Sequence, residues 1–354
     1  MGTRKRVVHG ALDEHELAAL GVSPGNLLDF SSNLNPFGPP AGVRAALAAL
    51  DPAPYPDRSC VRLRQALAER HACEPEAILP GNGANELIHL VARALLHPGD
   101  TVLVIGPTYG EYAYASELMG AHVVAFQTQP ERAFQPDGPA LSALMHTLRP
   151  RLTWLCTPNN PTGVVLASAI LQTLLAIAAG DGGYLILDRS YSDLQRTATA
   201  ALSETSSPHL ITLHSLTKSY ALAGLRLGYL LASPELSARV GTFQPTWSVS
   251  SAAQAAGLAA LSDPTFLAST RSPLWAASEM LSTGLAELGL PVWRAALPFV
   301  LVRTGDGAAT RAALLGRGCV VRDCTSFGLP AWVRVAPRRP DENRRLLAAW
   351  KETR

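Results

Sequence analysis

Ser215-Leu216-Thr217-Lys218-Ser219-Tyr220-Ala221-Leu222-Ala223-Gly224-Leu225-Arg226-Leu227-Gly228 is the stretch that decides how this chain is read. It follows the apolar run Leu210-Ile211-Thr212-Leu213, a pattern that predicts a buried strand emptying into a hydroxyl-rich turn. Most lysines are solvated surface charges. A lysine amine held among apolar neighbours, with a second cation such as Arg226 nearby, loses proton affinity and can form an imine with an aldehyde. The hydroxyls of Ser215, Thr217 and Ser219, together with the Arg226 guanidinium, suit a phosphate. The stretch therefore asks for a small molecule carrying both an aldehyde and a phosphate.

Three upstream stretches fit the same molecule. Asp188 ends Gly183-Tyr184-Leu185-Ile186-Leu187-Asp188, a buried-strand pattern that delivers a carboxylate at its C-terminal end. A carboxylate there could keep a pyridine nitrogen protonated, and Tyr191 follows three residues later. Thr157-Pro158-Asn159-Asn160-Pro161-Thr162-Gly163 follows the apolar Leu152-Thr153-Trp154-Leu155-Cys156. Gly81-Asn82-Gly83-Ala84-Asn85-Glu86-Leu87 opens a helical pattern of Leu87, Leu90, Val91, Ala94 and Leu95, and a helix start favours phosphate through its free N–H groups and dipole.

In this order the four stretches resemble the fold type I, aspartate-aminotransferase-like enzymes that use pyridoxal 5′-phosphate. The resemblance implies an α/β fold: a large domain with a mostly parallel, seven-stranded-type sheet and a small C-terminal α/β domain. It implies that Lys218 is the Schiff-base lysine, that Asp188 pairs with the ring nitrogen, and that Tyr191 and Asn160 reach the phenolic oxygen. Gly83, Ala84, Asn85, Ser215, Thr217 and Arg226 would hold the phosphate, with Tyr109 also at the cofactor. It implies a homodimer in which Tyr55, from Tyr55-Pro56-Asp57, contacts the partner's cofactor, and it implies no metal.

Composition narrows the classes further. The chain has 354 residues, 47% hydrophobic and 16% charged, enough to bury a large core in two unequal domains. A formal net charge of +2 gives no electrostatic case for nucleic acid or a membrane surface. Arg4-Lys5-Arg6 has no apolar run behind it, so no secretory signal is expected. The five cysteines, Cys60, Cys73, Cys156, Cys319 and Cys324, lack Cys-x-x-Cys spacing, which favours reduced thiols and a cytoplasmic enzyme. Cys324 reads as a small packing residue.

Along the chain, residues 1–40 read as an arm contributing to the site and the small domain, 41–250 as the large cofactor-binding domain and 251–354 as the small domain with linking helices. Strands are expected at 101–105, 122–126, 151–156, 184–188, 210–213 and 227–231, and later at 291–303, 317–322 and 332–336. Helices are expected near 12–20, 44–50, 62–71 and 340–353. The alanine- and leucine-rich segment 248–288 should be helical with breaks near Pro264 and Pro273.

The N-terminus points to a branch. Val8-His9-Gly10 and Leu27-Leu28-Asp29-Phe30-Ser31-Ser32-Asn33-Leu34-Asn35-Pro36-Phe37-Gly38 resemble the threonine-phosphate decarboxylases of cobalamin biosynthesis, relatives of the histidinol-phosphate aminotransferases. That branch implies that His9, Gly10, Asn33 and Arg322 meet the substrate's phosphate, while Arg334, with Asn160, holds its carboxylate. The expected reaction is decarboxylation of L-threonine O-3-phosphate to (R)-1-aminopropan-2-yl phosphate. The alternatives are a histidinol-phosphate-type aminotransferase and, against the intact Lys218, a non-catalytic binding module. The chain departs from the family pattern at Arg189-Ser190, where Glu-Ala is usual, at Ala11 and at Asn85.

Overall fold

Seven apolar strands of the first two-thirds of the chain join into one sheet, and their burial explains their composition. In the computed structural model, residues 27–197 and 207–353 are described, together with 14–19, Val7, Gly10, Leu12, Ser23 and Gly25. After a short strand β1 (Leu28–Asp29), the large sheet is built from β2 (Ile78–Gly81), β3 (Thr101–Gly106), β4 (His122–Gln127), β5 (Leu152–Cys156), β6 (Tyr184–Asp188), β7 (Leu210–Ser215) and β8 (Gly228–Leu231). The order across it is β2-β8-β7-β6-β5-β3-β4. All neighbours are parallel except β8, which runs antiparallel to both β7 and β2.

Every residue of β5 and β7 is buried, as expected of strands covered on both faces. Alternate side chains separate the two faces. Trp154, Ile186 and Ile211 pack with Leu87, Val91 and Leu95 of one helix, while Leu155, Leu185 and Leu187 pack with Leu141, Leu171 and Leu174 of others. Each large apolar side chain removed from water contributes about 1.5–3 kcal/mol, so this double coverage fixes the register of the strands. In that register Cys156 lies beside Asp188, and Asp188 beside Leu213. The loops leaving β5, β6 and β7 therefore emerge side by side, at the strand ends where ligands bind in such sheets.

The C-terminal part adds β9 (Val292–Trp293), β10 (Val300–Arg303), β11 (Cys319–Val320), β12 (Arg322–Asp323) and β13 (Trp332–Val335). Four of these form an antiparallel sheet in the order β12-β13-β10-β9. The remaining strand, β11, pairs in parallel with β1, tying the N-terminal segment to this part of the molecule.

Four local readings are corrected. The strand β2 was missed because Ile78-Leu79-Pro80-Gly81 is short and holds a proline, which the sheet's edge tolerates. The segment 291–303 is two antiparallel strands, not one. The segment 317–322 splits between two sheets. A helix break is seen near Pro264, but Phe266–Glu287 runs through Pro273 without one. The proline costs about 3 kcal/mol or more, and burial of Leu274, Trp275, Leu281 and Leu285 beyond it offsets that. No described helix is long and apolar enough to cross a membrane.

Candidate active site

A cavity of about 340 Å³ opens at the C-terminal ends of β5, β6 and β7, and Lys218 lines it. Strand β7 ends at Ser215, whose hydroxyl accepts from the Thr217 N–H at 3.3 Å and starts the single helical turn Leu216–Ser219. That turn carries Lys218 into the cavity. Its Nζ donates to Ser215 Oγ at 3.2 Å and lies 5.6 Å from the centre of the Tyr191 ring. Burial lowers the amine's pKa from its ordinary value, the Asp188 charge opposes this, and Arg226 adds to the lowering.

Beside the lysine, three elements converge on a cradle. The helix Gly83–Leu95 begins at Gly83 with φ +76°, and Arg226 is itself left-handed at φ +57°. A Cβ on Gly83 would stand 2.7 Å from an Arg226 guanidinium nitrogen, and one on Gly228 would stand 2.6 Å from the Ala84 nitrogen. Glycine at both positions is what allows β8, the helix start and Arg226 to approach one another. Ser215 Oγ and Thr217 Oγ1 are 2.6 Å apart, and Ala84, Asn85, Thr217 and Arg226 all line the cavity. Asn85 does not cap the helix. The N-cap is Asn82, whose N–H is met by Glu86, while Asn85 accepts from the Tyr109 hydroxyl at 3.2 Å.

Asp188 is 5% exposed at the end of β6. One carboxylate oxygen accepts from the Tyr112 hydroxyl at 2.6 Å and the other from the Ser190 N–H at 2.8 Å. Ser190, two residues past Asp188, stands where the family pattern departs, but Tyr112 has nothing in its own neighbourhood that marks it as a site residue. Only the packing of the helix Glu111–Leu118 against β5 carries Tyr112 to Asp188.

The opposite wall is built from the turn after β5, the N-terminal segment and the small sheet. Arg334 donates to Asn160 Oδ1 and, at 2.6 Å, to the Ser31 carbonyl. Asn33 donates to the Tyr191 hydroxyl at 3.4 Å. Arg322 donates to Ser326 Oγ at 2.6 Å and lies over the Phe327 ring, and Ser326 is a lining residue the sequence did not suggest. Arg322 and Arg334 are cross-strand partners, a proximity their separation in sequence did not suggest. Burial, and then the Arg334 charge, pushes the Arg322 guanidinium down to about 10.

Val7 and Gly10 also line the cavity, and a Cβ on Gly10 would come 3.0 Å from the Ser31 carbonyl. His9 and Ala11 lie outside the described residues. Tyr55 does not line this cavity. It is 78% exposed and stacks on Trp247 with ring centroids 4.6 Å apart. Cys324 is fully buried among Phe134, Val164 and Leu301, and burial pushes its thiol up to about 12, as suits a packing residue.

The groups present fit a pyridoxal phosphate. An amine of lowered basicity, a buried carboxylate, a helix start, a guanidinium and the Thr217 hydroxyl line one cavity. Asn33 Oδ1 and Arg334 Nε are buried there without a hydrogen-bond partner, an arrangement that a bound polar group relieves. Among the described residues no group of three or more His, Cys, Asp or Glu is placed to hold a metal ion.

Residues 25–349 match the family described as aminotransferase class I and II. The chain is 37% identical over 331 residues to the histidinol-phosphate aminotransferase of Symbiobacterium thermophilum, covering 92% of this chain and 90% of that protein. It is 35% identical over 354 residues to the threonine-phosphate decarboxylase of Salmonella typhimurium, covering 96% and 95%. The crystal structure of the histidinol-phosphate aminotransferase from Sinorhizobium meliloti in complex with pyridoxal 5′-phosphate superposes with a TM-score of 0.81 at 25% identity, covering 91% and 89%.

Proposed function

Because the chain belongs to the aminotransferase class I and II family and uses pyridoxal phosphate, we propose that it moves an amino group between a phosphorylated amine of the histidinol-phosphate type and a 2-oxo acid. The likeness over nearly the whole chain to histidinol-phosphate aminotransferases carries the reading, and the pair of buried arginines, Arg322 and Arg334, on the wall of the cavity that holds Lys218 and Asp188 fits it. An aminotransferase must take two anionic partners in turn, and two guanidiniums serve both a phosphate and a carboxylate. The histidinol-phosphate aminotransferases among its relatives support the same choice.

Bound pyridoxal phosphate supplies an aldehyde that couples to amines and a ring that accepts the electrons of the bond broken at Cα. The chain's residues do the rest. Lys218 Nζ, whose proton affinity burial lowers, would take the Cα proton and return it. Asp188 keeps a proton on the ring nitrogen. Asn160 and Tyr191 donate to the phenolic oxygen, and Tyr109 bounds the ring. The N–H groups at Gly83–Asn85, the hydroxyls of Ser215 and Thr217, and Arg226 hold the cofactor's phosphate. Arg334 takes a substrate carboxylate. Arg322 takes the substrate's phosphate with Asn33, Gly10 and His9, and Tyr55 belongs to the partner's site in a homodimer.

A second reading, decarboxylation of L-threonine O-3-phosphate, is favoured by two observations. The N-terminal arm reaches the cavity through Val7 and Gly10, and the likeness to the Salmonella decarboxylase runs over 354 residues. The two readings share every residue above and differ in which Cα bond is broken. Purified holoenzyme assayed side by side separates them: histidinol phosphate with 2-oxoglutarate should yield glutamate faster than O-phosphothreonine yields CO₂. Faster CO₂ release overturns the first reading in favour of the second.

A further inference from the structure

Tyr112 is not among the groups that would touch the cofactor's reactive atoms, yet its surroundings are unusually constrained. It is 1% exposed, and its hydroxyl reaches Asp188 Oδ2 at 2.6 Å. Its ring lies parallel to Trp154, 7° apart in plane with centroids at 5.2 Å. Trp154 is fixed in turn, its indole N–H donating to Ser116 Oγ at 3.1 Å, and Ser116 Oγ donates to the Tyr112 carbonyl at 2.7 Å. Donor, stacking partner and backbone thus form a closed loop that holds the phenol against Asp188, with the Cys156 thiol as its other polar neighbour. Burial, and then the Asp188 charge, holds its pKa well above the ordinary phenol range, so it stays a donor.

We infer that Tyr112 is a positioning residue that sets where the proton between Asp188 and the cofactor's ring nitrogen resides. The inference rests on the proposed pairing of Asp188 with that nitrogen. A carboxylate can spread its charge over two oxygens. With the Ser190 N–H on one and the Tyr112 O–H on the other, each oxygen already accepts a hydrogen bond, which favours the ionised carboxylate and leaves the shared proton on nitrogen. Without the phenol, a buried oxygen loses its donor, the ring N–H bond breaks and a carboxyl O–H forms in its place. The ring is then neutral and accepts electrons poorly.

The test uses holoenzyme reconstituted with cofactor labelled with ¹⁵N in the ring. In the native protein the ¹⁵N chemical shift should be that of a protonated pyridine. In Tyr112→Phe, which keeps the ring stacked on Trp154, it should move toward the neutral value, while kcat falls about tenfold or more and KM changes little. If Asp188→Asn moves the ¹⁵N shift and Tyr112→Phe does not, the phenol is structural only and the inference is wrong. If neither variant moves it, the pairing of Asp188 with the ring fails instead. Replacement of Tyr112 by 3-fluorotyrosine, a stronger donor of nearly the same shape, covers the case in which the phenylalanine variant does not fold. It should hold the native ¹⁵N shift across a wider pH range, and a narrower range would also overturn the proposal.

Discussion

Arg322 and Arg334 face each other as registered partners on the adjacent antiparallel strands β12 and β13, 6% and 4% exposed. Two guanidiniums at that spacing repel in a site of low dielectric, and the repulsion contributes to the lowered proton affinity of Arg322. On the proposed assignment, an anion bound at either guanidinium would relieve that repulsion.

Arg334→Lys should weaken every carboxylate-bearing substrate by about 2 kcal/mol or more in kcat/KM, because an ammonium cannot reproduce the fork that bonds Asn160 and Ser31 and that would hold a carboxylate as well. Arg322→Gln should mainly penalise phosphorylated substrates. Steady-state kinetics with a phosphorylated amine and with glutamate measures both, and equal losses on both substrates would show that the anchors are not divided.

Lys218 should react with carbonyl compounds at lower pH than an exposed lysine does. Its folded pKa lies below 10.5, so the amine is neutral above that depressed value, and reactivity is lost as pH falls through it. Arg226→Gln removes a lowering charge and should shift the profile to higher pH, whereas Asp188→Asn removes a raising one and should shift it lower. Mass spectrometry of the borohydride-fixed adduct in cofactor-free protein, taken across pH, reads the midpoints. Shifts opposite to these would refute the assignment.

Gly228→Ala should fold and bind pyridoxal phosphate about tenfold or more weakly. The new Cβ meets the Ala84 nitrogen and the His214 carbonyl, both backbone, so the helix start must retreat from the cradle. Cofactor titration by fluorescence, with circular dichroism as a check on fold, decides it. Native affinity would mean that the helix start does not hold the phosphate.

Mixing inactive Lys218→Ala with impaired Tyr55→Ala subunits should restore activity, if Tyr55 serves the partner's site. A mixed dimer then holds one site with both residues native. Tyr55 is exposed and stacked on Trp247, away from its own cavity, which motivates the experiment. No gain on mixing would place its role within its own subunit or nowhere.

Much of the fold was legible because its signals are local. Leu152–Cys156, Tyr184–Asp188 and Leu210–Ser215 are continuous apolar runs, and burial on both faces of a parallel sheet demands that composition. Lys218, Asp188 and Asn160 line one cavity because each ends or follows such a strand, and strand ends of one parallel sheet gather at one edge. Pro273 misled because a proline's local cost says nothing about the packing gained beyond it. Tyr112 was invisible because it meets Asp188 across 76 residues of sequence.

By itself the sequence determined the strand–turn–lysine pattern and the alternation of strands and helices. These follow from backbone freedom and hydrophobic pattern, which each segment carries alone. Only the tertiary structure decided that Arg322 and Arg334 are neighbours, that Tyr112 rather than a charged residue attends Asp188, and that Arg334 is braced by Asn160 and Ser31. Strand register and helix packing choose those partners, and register is set by the burial of whole faces across the sheet, a quantity no single segment contains.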